Sequence, residues 1–173
     1  MKGIVLYKSK YGHTLRYATW LSEALDWELR ELSDFKKKEV GSYESVVFGT
    51  GVYMNRMKGI GRVKRLFRDK PITIFACGGN DGVEEEIERI RTRNLSRDEQ
   101  DFHAFFYLPG GLDFTRVKGP MGWMMRLSSR MIEKKKNRTQ EEEDFLKGFN
   151  DPTDLVDRKH IEPILDHIRK RQG

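Results

Sequence analysis

Residues 3–14 read GIVLYKSKYGHT, and this stretch decides the fold that the sequence predicts. Its first part, residues 3–8, is a short apolar run of the kind found in strands buried on both faces of a sheet. Its second part, SKYGHT at residues 9–14, is a polar turn, and helical spacing of apolar residues follows over 18–25. A strand, a turn and a helix in this order are the beginning of a β-α-β unit.

The same alternation continues along the chain. Further strand-like runs are predicted at residues 27–32, 45–49, 72–77 and 102–108. Segments with helical spacing follow the strands, and the last of them covers residues 161–168. Strands that alternate with helices form a parallel sheet with helices on both faces, so we expect an α/β fold. Residues 27–32 alternate between apolar and polar, which is typical of an edge strand.

One long segment interrupts this alternation. About fifty residues, 110–158, separate the fifth predicted strand from the closing helix, where roughly two to six residues are usual. We therefore predict an insert of about 110–158 within a single domain of residues 1–173. Thr139 and Glu142 form the sequence pattern of a capping box, which predicts that a helix of the insert begins there.

Composition limits the classes of function. The chain has 173 residues, a net charge of +6 and no apolar run long enough to span a membrane, and its single cysteine makes a reducing cytoplasm the expected location. Cys77 is the only cysteine and the four histidines lack metal-ligand spacing, so neither a disulfide nor a metal site is expected. No catalytic side-chain constellation stands out. Lys and Arg are spread along the chain, which argues against nucleic acid as a partner.

The SKYGHT turn is placed to bind a ligand. Ligands of open parallel sheets bind beyond the carboxyl ends of the strands, and this turn follows the first strand. Ser9, Gly12 and Thr14 could supply the hydroxyls and the close backbone approach that a phosphate needs. The alternative is a helix N-cap, which stabilises a helix by about 1 kcal/mol without any ligand. Neither a dinucleotide fingerprint nor a P-loop occurs, so a mononucleotide phosphate remains.

These residues resemble the phosphate loop of the flavodoxin-like family. That loop reads S/T-x-x-G-x-T after the first strand and binds the phosphate of FMN, and Ser9, Gly12 and Thr14 match it. Tyr11 stands where many members carry Thr, and its phenol or Lys10 could compensate for the missing hydroxyl. His13 could add a donor when protonated. The resemblance implies a three-layer αβα sandwich with a five-stranded parallel sheet of order 2-1-3-4-5 and one non-covalently bound FMN.

Two more loops are predicted at the same edge of the sheet. The residues expected to contact the flavin are Thr50, Gly51, Val52, Tyr53 and Met54 after the third strand, and Gly78, Gly79, Asn80 and Asp81 after the fourth. A flavin ring needs a flat apolar contact and backbone hydrogen-bonding groups, which Tyr53 and the glycines could provide. Turning the chain is the alternative role of these glycine-rich loops. In the resembling family, such loops flank the flavin.

Residues 106–136, FYLPGGLDFTRVKGPMGWMMRLSSRMIEKKK, resemble one branch of this family. The branch contains menaquinone-dependent protoporphyrinogen IX dehydrogenase, an FMN protein that passes electrons from the porphyrinogen to a quinone. The resemblance implies an FMN-dependent oxidoreductase with a quinone as its partner. The alternatives are a flavodoxin-type electron carrier for a redox partner protein, and a module that binds FMN poorly or not at all.

Residues 120–132 are predicted to form a methionine-rich helix. Helical spacing places Met121, Met124, Met125, Met131 and Ile132 on one side. The cations expected to meet porphyrin propionates or anionic lipid headgroups are Arg116, Lys118, Arg126 and Arg130. One expectation is therefore peripheral contact with the inner face of the membrane through residues 120–136, or delivery of an apolar substrate to the flavin. The other is packing of the methionine face against the sheet.

Overall fold

A computed structural model describes residues 2–115 and 117–172, and a parallel sheet forms its centre. In chain order the strands are β1 (Gly3–Lys8), β2 (Glu28–Glu31), β3 (Ser45–Tyr53), β4 (Arg56–Met57), β5 (Ile72–Gly78) and β6 (Ala104–Pro109). Five of them pair in parallel in the order β2-β1-β3-β5-β6, while β4 pairs antiparallel with β3. The predicted α/β fold and strand order are confirmed. Within the described chain β2 pairs only with β1, so it is the predicted edge strand.

The helices surround this sheet. They are α1 (His13–Leu25), α2 (Ile60–Leu66), α3 (Glu84–Asn94), α4 (Arg97–Phe102), α5 (Gly119–Glu133), α6 (Gln140–Asn150) and α7 (Glu162–Gln172). Neighbouring residues of β1 point to opposite faces of the sheet. Leu6 packs in one core cluster with Val63 of α2, and Val5 packs in another with Leu21 of α1 and Ile164 of α7. The sheet is therefore buried between two helical layers, as the three-layer prediction requires.

The prediction of one strand over residues 102–108 was wrong at its start. Phe102 is the last residue of α4, and β6 begins only at Ala104. A capping box starts α4, since Ser96 Oγ accepts from Glu99 N at 3.4 Å and Glu99 Oε2 accepts from Ser96 N at 2.8 Å. This local capping forms a short polar helix next to an aromatic run that resembles a continuous strand.

The third strand is longer than the prediction of 45–49. Residues Thr50 to Tyr53, which were expected in a loop, form the last part of β3. The strand continues because β4 turns back on it and pairs Val52 with Met57 and Tyr53 with Arg56. The two turn residues between these strands, Met54 and Asn55, have φ values of 49° and 59°. This conformation is that of a tight two-residue hairpin turn.

The insert follows β6 and packs around a small core of its own. This core contains Phe114, Val117 and Met125, with Met121, Phe145 and Phe149 packed against it. Helices α5 and α6 confirm the helices expected within the insert, and Thr139 caps α6 in the predicted capping box. The methionines expected on one side of α5 do not share one environment. Met121 and Met125 pack into the core of the insert, whereas Met124 and Met131, at the outer edge of the same side, are exposed.

Gly49 offers a test of how tightly the centre of the sheet is packed. A Cβ atom at Gly49 would lie 2.0 Å from Cζ of Phe75, whose ring is fully buried. We expect Gly49→Ala to lower the free energy of unfolding by about 1–3 kcal/mol, because the ring of Phe75 must move within a packed core. Urea unfolding followed by circular dichroism measures this change.

Gly61→Ala is the matched control for this substitution. Gly61 lies in α2 and a Cβ there would meet no heavy atom within 4 Å. Alanine favours a helix over glycine by about 0.5–1 kcal/mol, so the control is expected to be neutral or stabilising. Equal effects of the two substitutions would contradict the packing described for Gly49.

Candidate functional site

A cleft of about 900 Å³ opens at the carboxyl ends of β1, β3 and β5. It lies where ligands bind in open parallel sheets. Most of the predicted site residues line it, namely Ser9, Lys10, Tyr11, His13, Thr14, Gly51, Val52, Tyr53, Met54, Gly78, Gly79 and Asn80. The three loops expected at this edge therefore lie around one cavity.

Three predicted site residues are not among those that line the cleft. Gly12 instead forms the turn into α1, with a φ of 96° that glycine adopts without strain. Thr50 is fully buried, and its hydroxyl donates to the carbonyl oxygen of Lys58 at 2.8 Å. Asp81 is exposed on the loop after β5. Gly12 and Thr50 shape the backbone around the cleft.

The beginning of α1 has the features of an anion site. The first turn of a helix leaves backbone N–H groups without partners inside the helix, and the helix dipole makes this end positive. Gly12 is the N-cap of α1, and no side chain caps the helix in the described loop. The alternative role of Ser9 and Thr14 as side-chain caps is thus not found. Ser9 Oγ accepts from Gly12 N at 3.1 Å, so its proton can be donated to a bound anion.

Thr14 lies at the bottom of the cleft, next to Cys77. Thr14 is 3 % exposed. Burial raises the pKa of Cys77 to about 12, although the hydroxyl of Thr14 acts in the opposite direction. The thiol therefore stays protonated at neutral pH and is not a nucleophile. Cys77 is buried in the core and also lines the cleft.

Two tyrosines form an aromatic wall of the cleft. The ring centroids of Tyr11 and Tyr53 are 5.9 Å apart, and Lys10 Nζ lies 5.0 Å and 5.6 Å from them. Burial is the main cause that raises the pKa of Tyr53, and the neighbouring Tyr11 raises it further. The Tyr53 phenol is therefore neutral. The Tyr11 ring contacts Phe114 at 4.9 Å between centroids and thereby joins the turn before α1 to the insert.

The loop after β5 is held in shape by Asn80. Its Oδ1 accepts from the Tyr107 hydroxyl at 2.8 Å and from Gly82 N at 2.9 Å, and its Nδ2 donates to Glu86 at 3.0 Å. These bonds occupy the side chain that was predicted to contact the flavin. Asn80 therefore shapes the loop, and the backbone of Gly78 and Gly79 is the part of this loop that can approach a ligand closely.

The hairpin between β3 and β4 forms the rim of the cleft. Met54 is 73 % exposed there, and Asn55 beside it also lines the cleft. Asn94 at the end of α3 fixes the hairpin, since its Nδ2 donates to Asn55 O at 2.7 Å and its Oδ1 accepts from Met57 N at 2.8 Å. Sequence reasoning missed Asn55, although asparagine is one of the few residues other than glycine that adopt the left-handed conformation of such turns readily.

The insert closes one side of the cleft with α6 and the segment that precedes α5. The lining residues that the sequence did not predict are Asn55, Cys77, Glu86, Arg89, Gly111, Leu112, Phe114, Gln140, Asp144, Phe145 and Lys147. No motif marks those that belong to the insert, because they meet the sheet edge only through long-range packing. Helix α5, which was expected to guide an apolar substrate, contributes no described side chain to the lining.

The end of the insert is anchored beside α1. Arg16 of α1 donates to Asp154 at 2.7 Å in an ion pair. Burial of Asp154 opposes ionisation, but the hydrogen bond from Arg16, the Val156 amide and the nearby charge of His13 together hold the pKa of this carboxyl below its usual range. The residue predicted as an additional donor, His13, thus lies in the cleft wall beside an ionised carboxylate.

Comparison with known proteins identifies the family. The model of the flavodoxin domain family matches residues 4–142 of the chain. The protein belongs to this family. Curated proteins gave no significant match.

Several solved flavoproteins resemble the chain. A WrbA-like flavodoxin from Agrobacterium tumefaciens is 14 % identical with a TM-score of 0.46, and the match covers 92 % of this chain and 98 % of that one. A flavodoxin from the domain Archaea is 16 % identical with a TM-score of 0.44, covering 65 % and 85 %. General stress protein 14 of Treponema denticola in complex with FMN is 12 % identical with a TM-score of 0.43, covering 64 % and 87 %.

Thr14 provides a direct test of the anion site. We expect Thr14→Val to weaken FMN binding by about 1–3 kcal/mol, because a charge-assisted hydrogen bond to the phosphate is lost. Titration calorimetry of the flavin-free protein with FMN measures the change. Thr19→Val is the matched control, since the Thr19 hydroxyl bonds to Leu15 O within α1 at 2.9 Å and lies outside the cleft. Equal affinities of the two variants would place the phosphate elsewhere.

Proposed function

We propose that this protein is an oxidoreductase that uses non-covalently bound FMN. Membership of the flavodoxin domain family supports FMN as the cofactor, as the sequence predicted. The observation that carries the proposal is the beginning of α1, where the N-cap is Gly12. The hydroxyls of Ser9 and Thr14 and the first-turn amides are therefore available for a phosphate at the bottom of the cleft.

The rest of the cleft fits a planar ring next to that phosphate. A Cβ atom at Gly51 would lie 3.5 Å from the Tyr53 ring and 3.8 Å from Thr14 Oγ1, so it would fill the space between the aromatic wall and the anion site. Tyr53 offers a flat apolar contact, and the backbone of Gly78 and Gly79 borders the same space. FMN supplies the redox chemistry when it is bound, and these residues orient it and exclude water.

The insert supports an enzyme rather than an electron carrier. Leu112, Phe114 and Phe145 give the far side of the cleft an apolar surface. Arg89 of α3 and Lys147 supply cations beside the carboxylates of Glu86 and Asp144, of which Asp144 pairs with Lys147 at 3.4 Å. Such a pocket can hold an apolar substrate that carries acidic groups beside the flavin. Together with the resemblance of residues 106–136, this supports a substrate of the protoporphyrinogen type and a quinone as the electron acceptor. The net charge of +6 differs from the acidic surfaces of typical flavodoxin carriers.

An assay of menaquinone-coupled porphyrinogen oxidation tests this proposal. The purified protein is expected to be yellow, to release FMN on denaturation, and to turn over the substrate. Lys147→Gln should reduce kcat/KM by about tenfold with unchanged FMN content, because a positive charge that meets an acidic group of the substrate is lost while the apolar core of the insert stays intact. Lys136→Gln, an exposed change outside the cleft, is the control for loss of one positive charge.

The outcomes separate the three hypotheses. A colourless protein that excess FMN cannot turn yellow would contradict flavin binding altogether. A yellow protein that reduces a redox partner protein but does not oxidise the porphyrinogen would indicate the carrier. Unchanged turnover in the variant of α6 would show that the insert does not contact the substrate.

A further inference from the structure

Helix α5 has an apolar face that the rest of the described protein does not cover. Trp123 is 67 % exposed, Met131 66 %, Met124 57 % and Leu127 45 %. The opposite side of the helix packs through Met125 into the core of the insert, and none of the exposed side chains lines the cleft. These exposed side chains, Trp123, Met124, Leu127 and Met131, form what we call the outer face of α5.

A row of positive charges runs along one side of the outer face. Trp123, Leu127 and Met131 follow one another every four residues, and so do Arg126, Arg130 and Lys134. Residues four apart lie above one another on a helix, so the apolar row and the basic row run side by side. Both arginines and the lysine are exposed. Glu133 is the only acidic residue of α5. Arg116, which was also predicted to meet anionic headgroups, lies outside the described residues.

We propose that the outer face of α5 docks on an anionic lipid surface, a function beyond the oxidoreductase activity proposed above. An amphipathic helix with Trp and aliphatic side chains on one side and cations beside them lies in the plane of the headgroups. Trp123, Leu127 and Met131 enter the boundary of the acyl chains, and Arg130 and Lys134 meet lipid phosphates. The contact is peripheral, since no helix in residues 2–115 and 117–172 is both long and apolar enough to cross a bilayer.

The arrangement of charge favours lipid over a second copy of this chain. Antiparallel pairing of two outer faces about a twofold axis would bring the two basic rows to the same side, where like charges oppose association. A lipid surface needs no preformed complementary shape, and its phosphates match the basic row. Docking through α5 leaves the cleft open, because the lining of the cleft comes from other elements.

Vesicle flotation with the intact protein tests this proposal. We expect binding to vesicles of equimolar phosphatidylcholine and phosphatidylglycerol, and much weaker binding to phosphatidylcholine alone. Each cation near an anionic surface contributes about 1 kcal/mol, so Arg130→Gln combined with Lys134→Gln should lower the partition coefficient about thirtyfold. Trp123→Ser combined with Leu127→Ser should lower it by about tenfold or more through loss of apolar contact.

A matched control separates local docking from the effect of overall charge. Lys37→Gln combined with Lys38→Gln removes the same charge from an exposed segment far from α5 in the sequence, and is expected to leave binding nearly unchanged. FMN content serves as the check that each variant is folded. Absence of binding to the anionic vesicles would overturn the proposal, as would equal losses in the control and the α5 variants. A dimer in solution that Trp123→Ser converts to a monomer would identify a second copy as the occupant.

Discussion

The turn between β1 and α1 is the constraint on which the rest of the site depends. Gly12 takes a left-handed conformation there, and its amide donates to Ser9 Oγ, so the chain passes from strand to helix within a few residues. Helix α1 then begins at His13 with its amide groups and the positive end of its dipole at the edge of the sheet. A longer or differently shaped turn would move this end away from the cleft.

The register of the sheet brings the other loops to the same place. Lys8 is level with Thr50, and Gly51 is level with Cys77, so β1, β3 and β5 end side by side. The insert is joined to this edge by the contact between Tyr11 and Phe114. Tyr11, the residue that departs from the family's phosphate loop, is therefore the one that packs against the insert. The anion site, the aromatic wall and the insert therefore form one packed unit.

Local signals in the sequence predicted the framework of this site. The apolar run at residues 3–8 and the turn that follows it were sufficient for the first β-α unit, and glycine-rich strand ends predicted two more loops. Contacts between distant segments were not predictable in this way. Nothing local shows that Phe145 of α6 closes the cleft, that β4 extends β3, or that the Asn80 side chain holds its own loop. The division of the methionines of α5 depends likewise on where α6 packs.

The difference in affinity between FMN and riboflavin measures the central claim most directly, because the two ligands differ only in the phosphate. If the first turn of α1 and the hydroxyls of Ser9 and Thr14 hold that phosphate, FMN binds more than about a hundredfold more tightly, since each hydrogen bond to a charged group contributes about 1.5–3 kcal/mol. Calorimetry of the flavin-free protein with both ligands gives this ratio. Equal affinities would contradict the account.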